Sequence, residues 1–224
     1  MSSDYAPIEG GLGALPREVA IFPLSGVLML PDAKLPLNIF EPRYLNMIED
    51  SLGAGRLVGI VQPLAEGVES PAGQPTVYEV GSLGRIISFA ETGDGRFVIT
   101  LLGLTRFRIV NELTVQRGYR RASISYKGFE ADLDEDEGRV ANRARLMEAV
   151  HAYFAQAGIE ADWSTIEDAD DASLVTSLSM VCPFEAGEKQ ALLECSGTAE
   201  RGDMLIDLMV LAMHGDNSPM SMRH

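Results

Sequence analysis

The fold is decided by residues 19–50, which have the sequence VAIFPLSGVLMLPDAKLPLNIFEPRYLNMIED. Three short apolar runs occur in this stretch, each one ended or interrupted by a proline. Short apolar runs bounded by proline, glycine and aspartate are typical of β-strands. We therefore predict strands at 19–22, 27–30 and 35–40. Proline cannot donate to a sheet ladder, so Pro36 places the third strand at an edge or a bulge.

A helix is predicted directly after the third strand. Pro42 suits its first position, because an amide there would have no partner within the helix. The apolar residues that recur at helical spacing and share one face are Tyr44, Leu45, Met47 and Ile48. Gly53 and Gly55 then end the helix.

The pattern stays strand-like as far as Lys127. Residues 76–90 predict either a strand pair or one long bent strand, with Gly81 and Gly84 at a bulge or corner. The sequence ETGDGR at 91–96 predicts a hairpin turn, because Asp-Gly supplies the positive φ that such turns need. Further strands are predicted at 56–61, 97–102, 106–109 and 119–127. Many short strands with a single helix indicate a closed or half-closed barrel.

The composition changes at residues 130–137, where six of eight residues are acidic. We interpret this run as a solvated linker that leads into a helix start, with an acidic docking tail as the alternative. Beyond it the apolar period is helical and predicts four helices. The first ends at Gly158, the second begins near Asp170 or Asp171, the third covers 184–195 and the fourth is capped by Thr198.

The predicted organisation is that of an α+β protein with two ordered domains. In chain order we predict a flexible arm at 1–15, a β-barrel domain at 16–127, an acidic linker at 128–137, a helical bundle domain at 138–214 and a disordered tail at 215–224.

Charge limits the partners that the chain can bind. Its 224 residues include 33 acidic and 18 basic ones, which gives a formal net charge of −15. Such a surface repels phosphate backbones and anionic membrane faces, so we expect neither nucleic acid nor a membrane as partner. The sequence has no apolar run of 18 residues and no signal-peptide pattern at its start. We therefore expect a cytoplasmic protein, with Cys182 and Cys195 as buried thiols and a redox pair as the alternative.

Four motifs, in order along the chain, carry a resemblance to a known family. They are the opening stretch 22–44, GSLGRI at 81–86, GLTRFRI at 103–109 and EKQALLE at 188–194. Over about residues 17–213 the chain resembles the amino-terminal substrate-binding domain of Lon proteases, and in particular the small bacterial proteins that consist of that domain alone. The resemblance implies a PUA-like six-stranded β-pseudobarrel followed by a small helical bundle.

The resemblance also implies a non-catalytic module that binds protein or peptide segments, with the partner and the oligomeric state left open. In full-length Lon this region helps to select and hold protein substrates, and a related domain in cereblon docks a partner protein. We expect an apolar segment to be buried in a cleft between barrel and bundle. Addition of an extended strand to a barrel edge is a second way to hold such a segment.

Four residues are candidates for peptide contacts. Phe40, Arg43 and Tyr44 suit a peptide groove; alternatively, Phe40 and Tyr44 plug the barrel end while Arg43 pairs with a nearby acid. Arg106 is the fourth candidate. Together with Arg108 it also fits a basic strip for RNA, as in some PUA-like barrels, or an outward strand face paired with acids.

The sequence shows no catalytic constellation, and we expect no cofactor and no metal. None of the three lysines follows a glycine, which excludes a P-loop, and no Gly-x-Ser-x-Gly elbow is present. His151 is expected to pack on an apolar helix face, with a general base as the alternative. The rival functions are an RNA-binding PUA-like protein, an unrecognised small-molecule enzyme and a purely structural subunit.

Overall fold

The computed structural model describes residues 11–64, 75–134 and 138–215. The chain divides into two compact units, Met1–Glu135 and Asp136–His224, here called the barrel unit and the helical unit. Positions 1–10, 135–137 and 216–224 of the predicted arm, linker and tail lie outside the described residues.

The described part of the barrel unit contains six strands. They are β1 Glu18–Pro23, β2 Lys34–Ile39, β3 Leu57–Val61, β4 Val80–Glu91, β5 Phe97–Gln116 and β6 Tyr119–Ser125. The strands are hydrogen-bonded in the order β2-β5-β4-β3-β1-β6, and β5 also pairs with β6. This extra pairing closes the ladder through β5 and gives the six-stranded pseudobarrel implied by the resemblance. β1 and β3 run parallel, and the other pairs of named strands in the described residues are antiparallel.

Strand β5 closes the barrel because it is 20 residues long and pairs with three neighbours. Its first part pairs with β2, its last part with β6, and β4 lies along it from Phe97 to Arg108. The sequence pattern predicted two separate strands here, at 97–102 and 106–109. This separation is wrong: the strand continues through Gly103 because this residue makes room for another segment. A side chain there would place its Cβ 2.0 Å from the carbonyl oxygen of Leu30.

The segment that approaches Gly103 is the second apolar run, residues 27–30, which is not a strand as predicted. Leu28, Met29 and Leu30 are buried, and the Met29 side chain lies against Gly84 of β4. Their burial explains the apolar run, while their backbone takes no part in a strand ladder. Apolar character alone does not distinguish these two situations.

Other predictions for the barrel unit are confirmed. The helix α1, Pro42–Gly53, begins with Pro42 and buries Tyr44, Met47 and Ile48. These three residues share a core cluster with Phe22 of β1. The β4–β5 hairpin turns at residues 92–96, where Gly95 has a φ of +78°.

The helical unit contains five helices in its described part. They are α2 Arg143–Ala157, α3 Trp163–Asp168, α4 Asp171–Val181, α5 Ala186–Glu194 and α6 Thr198–Gly215. Four of them were predicted; α3 was missed because its six residues are too few to show a helical period. Gly158 ends α2 with a φ of +66°, and the Asp170 carboxylate caps α4 by accepting the Ser173 amide hydrogen at 2.8 Å.

Two side-chain expectations for the helical unit had different outcomes. Cys182 and Cys195 are buried thiols, as expected, and burial raises the pKa of the Cys182 thiol to about 11. His151 was expected to pack in the core, but it is exposed and stacks on Trp163 with ring centroids 3.9 Å apart. Its partner lies in α3, the helix that the sequence analysis did not predict.

Replacement of Gly103 by alanine tests the close approach that allows β5 to be continuous. We expect Gly103→Ala to lower the free energy of unfolding by about 1–3 kcal/mol, because the nearest atoms are backbone atoms of Leu30 that cannot rotate away. Urea unfolding followed by circular dichroism measures the change. The matched control is Gly93→Ala in the hairpin turn, where an added Cβ meets nothing within 4 Å. Equal stability of the two variants would contradict the close approach.

Candidate functional site

A pocket of about 280 Å³ opens on the barrel unit where the ends of β1 and β2 meet the start of α1. Four aromatic residues line it: Phe22, Phe40, Tyr44 and Tyr119. Three prolines also line it: Pro23, Pro63 and Pro75. Its polar residues are Asn38, Glu41, Arg43 and Arg120. We call this site the aromatic pocket.

Three of the four candidate peptide contacts lie together in the aromatic pocket. Phe40 directly follows Ile39, the last residue of β2, whose side chain is buried, so its own side chain points outward. It is 63% exposed, which is unusual for a phenylalanine and rules out a role as a barrel plug. Tyr44 is 8% exposed, and its ring centroid lies 4.1 Å from that of Phe22. The pocket therefore has a buried aromatic floor and an exposed aromatic rim.

Arg43 covers one side of the pocket. Its guanidinium carbon lies 4.5 Å from the Tyr44 ring centroid, and its Nε donates to the Glu41 carboxylate at 2.9 Å. The Arg43 and Glu41 side chains are both nearly half exposed, so their ion pair contributes little to stability. The pair can open at small cost when a ligand requires the guanidinium.

The far wall is formed by Tyr119 and Arg120 of β6, which the sequence analysis did not select. The Arg120 guanidinium is buried; it donates to the Pro75 carbonyl at 2.8 Å and to the Glu112 carboxylate at 3.0 Å. A signal was available in the sequence, because Arg120 has the same strand parity as the apolar residues Ala122 and Ile124. An arginine at a strand position that shares its face with apolar residues indicates a buried ion pair.

A polar network holds α1 against the β5–β6 turn and thereby positions the pocket. The Tyr119 hydroxyl donates to Asp50 at 2.8 Å, and Arg117 donates to Glu49 and to the Asn46 side chain, each at 2.8 Å. The hydrogen bond from Tyr119, helped by Arg117, lowers the pKa of Asp50. Since α1 carries Arg43 and Tyr44, this network keeps both residues at the pocket.

Both tyrosines of the pocket stay neutral at physiological pH. Burial raises the pKa of Tyr44 despite the opposing charge of Arg43. Burial and the nearby Asp50 raise the pKa of Tyr119 to about 12. No hydrogen bond within the described residues involves the Tyr44 hydroxyl, which leaves it available to a ligand.

The structure places Arg106 away from the aromatic pocket. Its buried guanidinium donates to the buried carboxylate of Asp132 at 2.7 Å and lies 4.9 Å from the Phe129 ring centroid. Asp132 belongs to the short 3-10 helix Glu130–Leu133, so the start of the predicted linker is bound to the barrel unit. Arg108 is exposed and pairs with Glu79. Arg106 and Arg108 therefore form no exposed basic strip.

The lining residues of the pocket include no histidine, cysteine, serine or lysine, and their one carboxylate, that of Glu41, pairs with Arg43. In the described part of the chain, no group of three or more His, Cys, Asp or Glu residues is arranged to hold a metal ion. None of the described helices is both long and apolar enough to cross a bilayer.

The comparisons with known proteins agree with this fold. A family model described as the ATP-dependent protease La (LON) substrate-binding domain matches residues 18–210. The chain belongs to this Lon domain family. The match includes all the strands and α1–α5.

In the curated relatives, the region that matches this chain is part of a longer protein. Lon protease of Flavobacterium johnsoniae is 25% identical over 190 residues, which are 84% of this chain and 23% of that protein. Lon protease 2 of Sorangium cellulosum is 32% identical over 107 residues, 47% of this chain and 13% of that protein. The chain thus spans about a quarter or less of the length of these curated relatives.

Two solved structures show the same fold. A Lon N-terminal domain protein from Xanthomonas campestris has a TM-score of 0.57 at 22% identity and covers 85% of this chain and 97% of its own. The N-terminal domain of Mycobacterium avium complex Lon protease has a TM-score of 0.56 at 13% identity, with coverages of 86% and 98%. The expected α+β fold with its pseudobarrel is therefore confirmed.

The pH dependence of stability tests the Tyr119–Asp50 contact. The pKa of Tyr119 is raised in the folded chain, so its contribution is complete below about pH 10 and is lost as the pH rises toward 12. The pKa of Asp50 is lowered, so its contribution is complete above about pH 4 and is lost as the pH falls further. We expect Tyr119→Phe to lower the free energy of unfolding by about 0.5–1.5 kcal/mol at pH 7 and to flatten the alkaline loss.

Urea unfolding at pH 7, 10 and 11.5 measures both effects. The control is Tyr78→Phe, because the hydroxyl that donates to Asp50 is that of Tyr119. An identical alkaline slope in the wild type and in Tyr119→Phe would contradict the contact.

Proposed function

We propose that this chain is a non-catalytic substrate-recognition module, and that its aromatic pocket holds an apolar or aromatic side chain of a protein segment. The observation that carries the proposal is the exposed Phe40 ring beside a buried aromatic floor. An exposed phenylalanine beside a concave apolar site is a feature of binding surfaces. Membership of the Lon substrate-binding domain family supports the same conclusion.

The size of the pocket favours a side chain over a whole metabolite. Sites for complete small molecules have volumes of about 300–1,000 Å³, and the aromatic pocket has about 280 Å³. One large side chain fits such a volume, with the remainder of its segment outside. An aromatic side chain in the pocket would also interact with the rings of Phe22, Phe40 and Tyr44. Each such ring pair contributes about 0.5–1.5 kcal/mol in addition to the free energy from buried apolar area.

The polar groups of the pocket suit recognition without chemistry. The Arg43 guanidinium, which shares its exposed pair with Glu41, and the Tyr44 hydroxyl can bind main-chain carbonyl groups of the segment. Neither tyrosine ionises near neutral pH, so neither supplies a charged nucleophile, and the Glu41 carboxylate is paired with Arg43. The segment is thus held and released unchanged.

Two further features belong to the proposal. The partners are protein segments and not nucleic acid, because the net charge is −15 and Arg106 is buried with its acid. The place of action is the cytoplasm, which the two buried cysteine thiols support.

Truncation of Phe40 tests the proposed function. We expect Phe40→Ala to weaken binding of a reduced and alkylated, permanently unfolded protein about 5- to 30-fold, because interface aromatics contribute about 1–2 kcal/mol or more. Fluorescence anisotropy with the labelled unfolded protein measures the affinity. The matched control is Phe89→Ala, which removes a 39% exposed ring of β4 that lies outside the pocket.

Two results would contradict the proposal. One is equal binding by the wild type and Phe40→Ala, and the other is an equal loss in both variants. A parallel titration with single-stranded RNA tests the nucleic-acid alternative, for which we expect no binding at physiological salt.

A further inference from the structure

Strand β2 has an edge to which no other named strand pairs. It stands at the end of the sheet order and pairs with β5, while its other edge has no strand partner among the described residues. It leads directly into the aromatic pocket, since Asn38, Ile39 and Phe40 are lining residues. The edge and the pocket are therefore continuous along the chain.

The register shows which groups of β2 face that edge. The Gly103 amide donates to the Ala33 carbonyl at 2.9 Å, and the same register continues through Leu35 opposite Leu101 and Leu37 opposite Ile99. Bonded and non-bonded residues alternate in an antiparallel ladder. The odd-numbered residues of β2 therefore bond to β5, and the even-numbered residues direct their main-chain groups away from it.

Pro36 gives an independent indication of the same orientation. Pro36 is even-numbered, so its main-chain groups point away from β5. Its missing amide hydrogen therefore removes no hydrogen bond between β2 and β5. The outward groups are the amide and carbonyl of Lys34, the carbonyl of Pro36, and the amide and carbonyl of Asn38. Asn38 is the outward residue that also lines the aromatic pocket.

We propose that the bound segment is an extended chain that adds as a strand to the free edge of β2 and places one side chain in the aromatic pocket. This inference rests on the proposed function and deepens it by naming the conformation and the chemistry of the ligand. A row of outward amides and carbonyls is matched by an extended backbone, whereas a helix has already paired its own groups.

The residues at the edge of β2 also limit which sequences can bind there. Pro36 and the charged Lys34 limit indefinite pairing, so the strongest pairing is at Asn38, next to the pocket. A second copy of this chain is disfavoured, because each copy carries a net charge of −15. The ligand is therefore a segment without acidic residues that carries an aromatic or large aliphatic side chain.

Backbone methylation of a peptide tests this inference with the full-length protein. The probe is a fluorescein-labelled nonapeptide with the sequence Lys-Thr-Val-Thr-Phe-Thr-Val-Thr-Lys, made once unmodified and once with a single N-methyl amide at each internal position. Strand addition uses the amides of alternate residues. We expect methylation at those residues to weaken binding at least about tenfold, and methylation at the intervening residues to change it less than about threefold.

The outcomes separate this inference from the proposed function. Losses of affinity at alternate methylated positions, in binding that depends on Phe40, support strand addition. Binding that depends on Phe40 but shows no alternation overturns strand addition and retains the pocket. Failure of the unmodified peptide to bind, or binding that Phe40→Ala leaves unchanged, overturns both.

Variants of Asn38 provide the complementary test on the protein. Asn38→Pro removes the outward amide while the bonds of Ile39 and Leu37 to β5 remain, and we expect about a tenfold loss of peptide affinity. Asn38→Ala keeps the amide and removes only the side chain, so we expect a clearly smaller loss of affinity than for Asn38→Pro. Equal affinities of the two variants, with unfolding temperatures that match, would contradict strand addition.

Discussion

Strand β5 is hydrogen-bonded to β2, β4 and β6, and the position of every pocket residue follows from this triple pairing. The pairing with β6 closes the ladder and brings Tyr119 and Arg120 to the end of β1. The pairing with β2 holds a short strand that has no other strand beside it in the described residues. Strand β2 in turn fixes Phe40 at the corner where α1 begins. Without a continuous β5, the edge of β2 and the pocket would have no fixed relation.

Two buried arginines secure the ends of this arrangement in different ways. Arg120 joins β6 to Glu112 of β5 and to the carbonyl of Pro75, and so forms the pocket wall. Arg106 binds Asp132 and holds the segment after β6 on the barrel. Because removal of one member of a buried pair leaves an uncompensated charge, both arginines are more important for the fold than for ligand contact. The exposed Arg43 is the arginine of the pocket whose ion pair can open.

The sequence identified the family, the α+β class, the edge position of Pro36 and the proline that begins α1, because each depends on local residue chemistry. It also brought Phe40, Arg43 and Tyr44 together, since these residues are neighbours in the chain. It could not place Arg106 in a buried pair or find Arg120 in the pocket, because both positions depend on partners 26 and 45 residues away. The predicted separation of strands 97–102 and 106–109 was wrong, because the sequence does not show that Gly103 admits the backbone of Leu30.

The central claim is that a protein segment binds at the aromatic pocket of the barrel unit. Hydrogen–deuterium exchange of the full-length chain, with and without saturating unfolded protein, tests it most directly. The account predicts slower exchange for amides of residues 37–44, with exchange in the β4–β5 turn at 92–96 unchanged. Protection confined to other parts of the chain, with no change at residues 37–44, would contradict it.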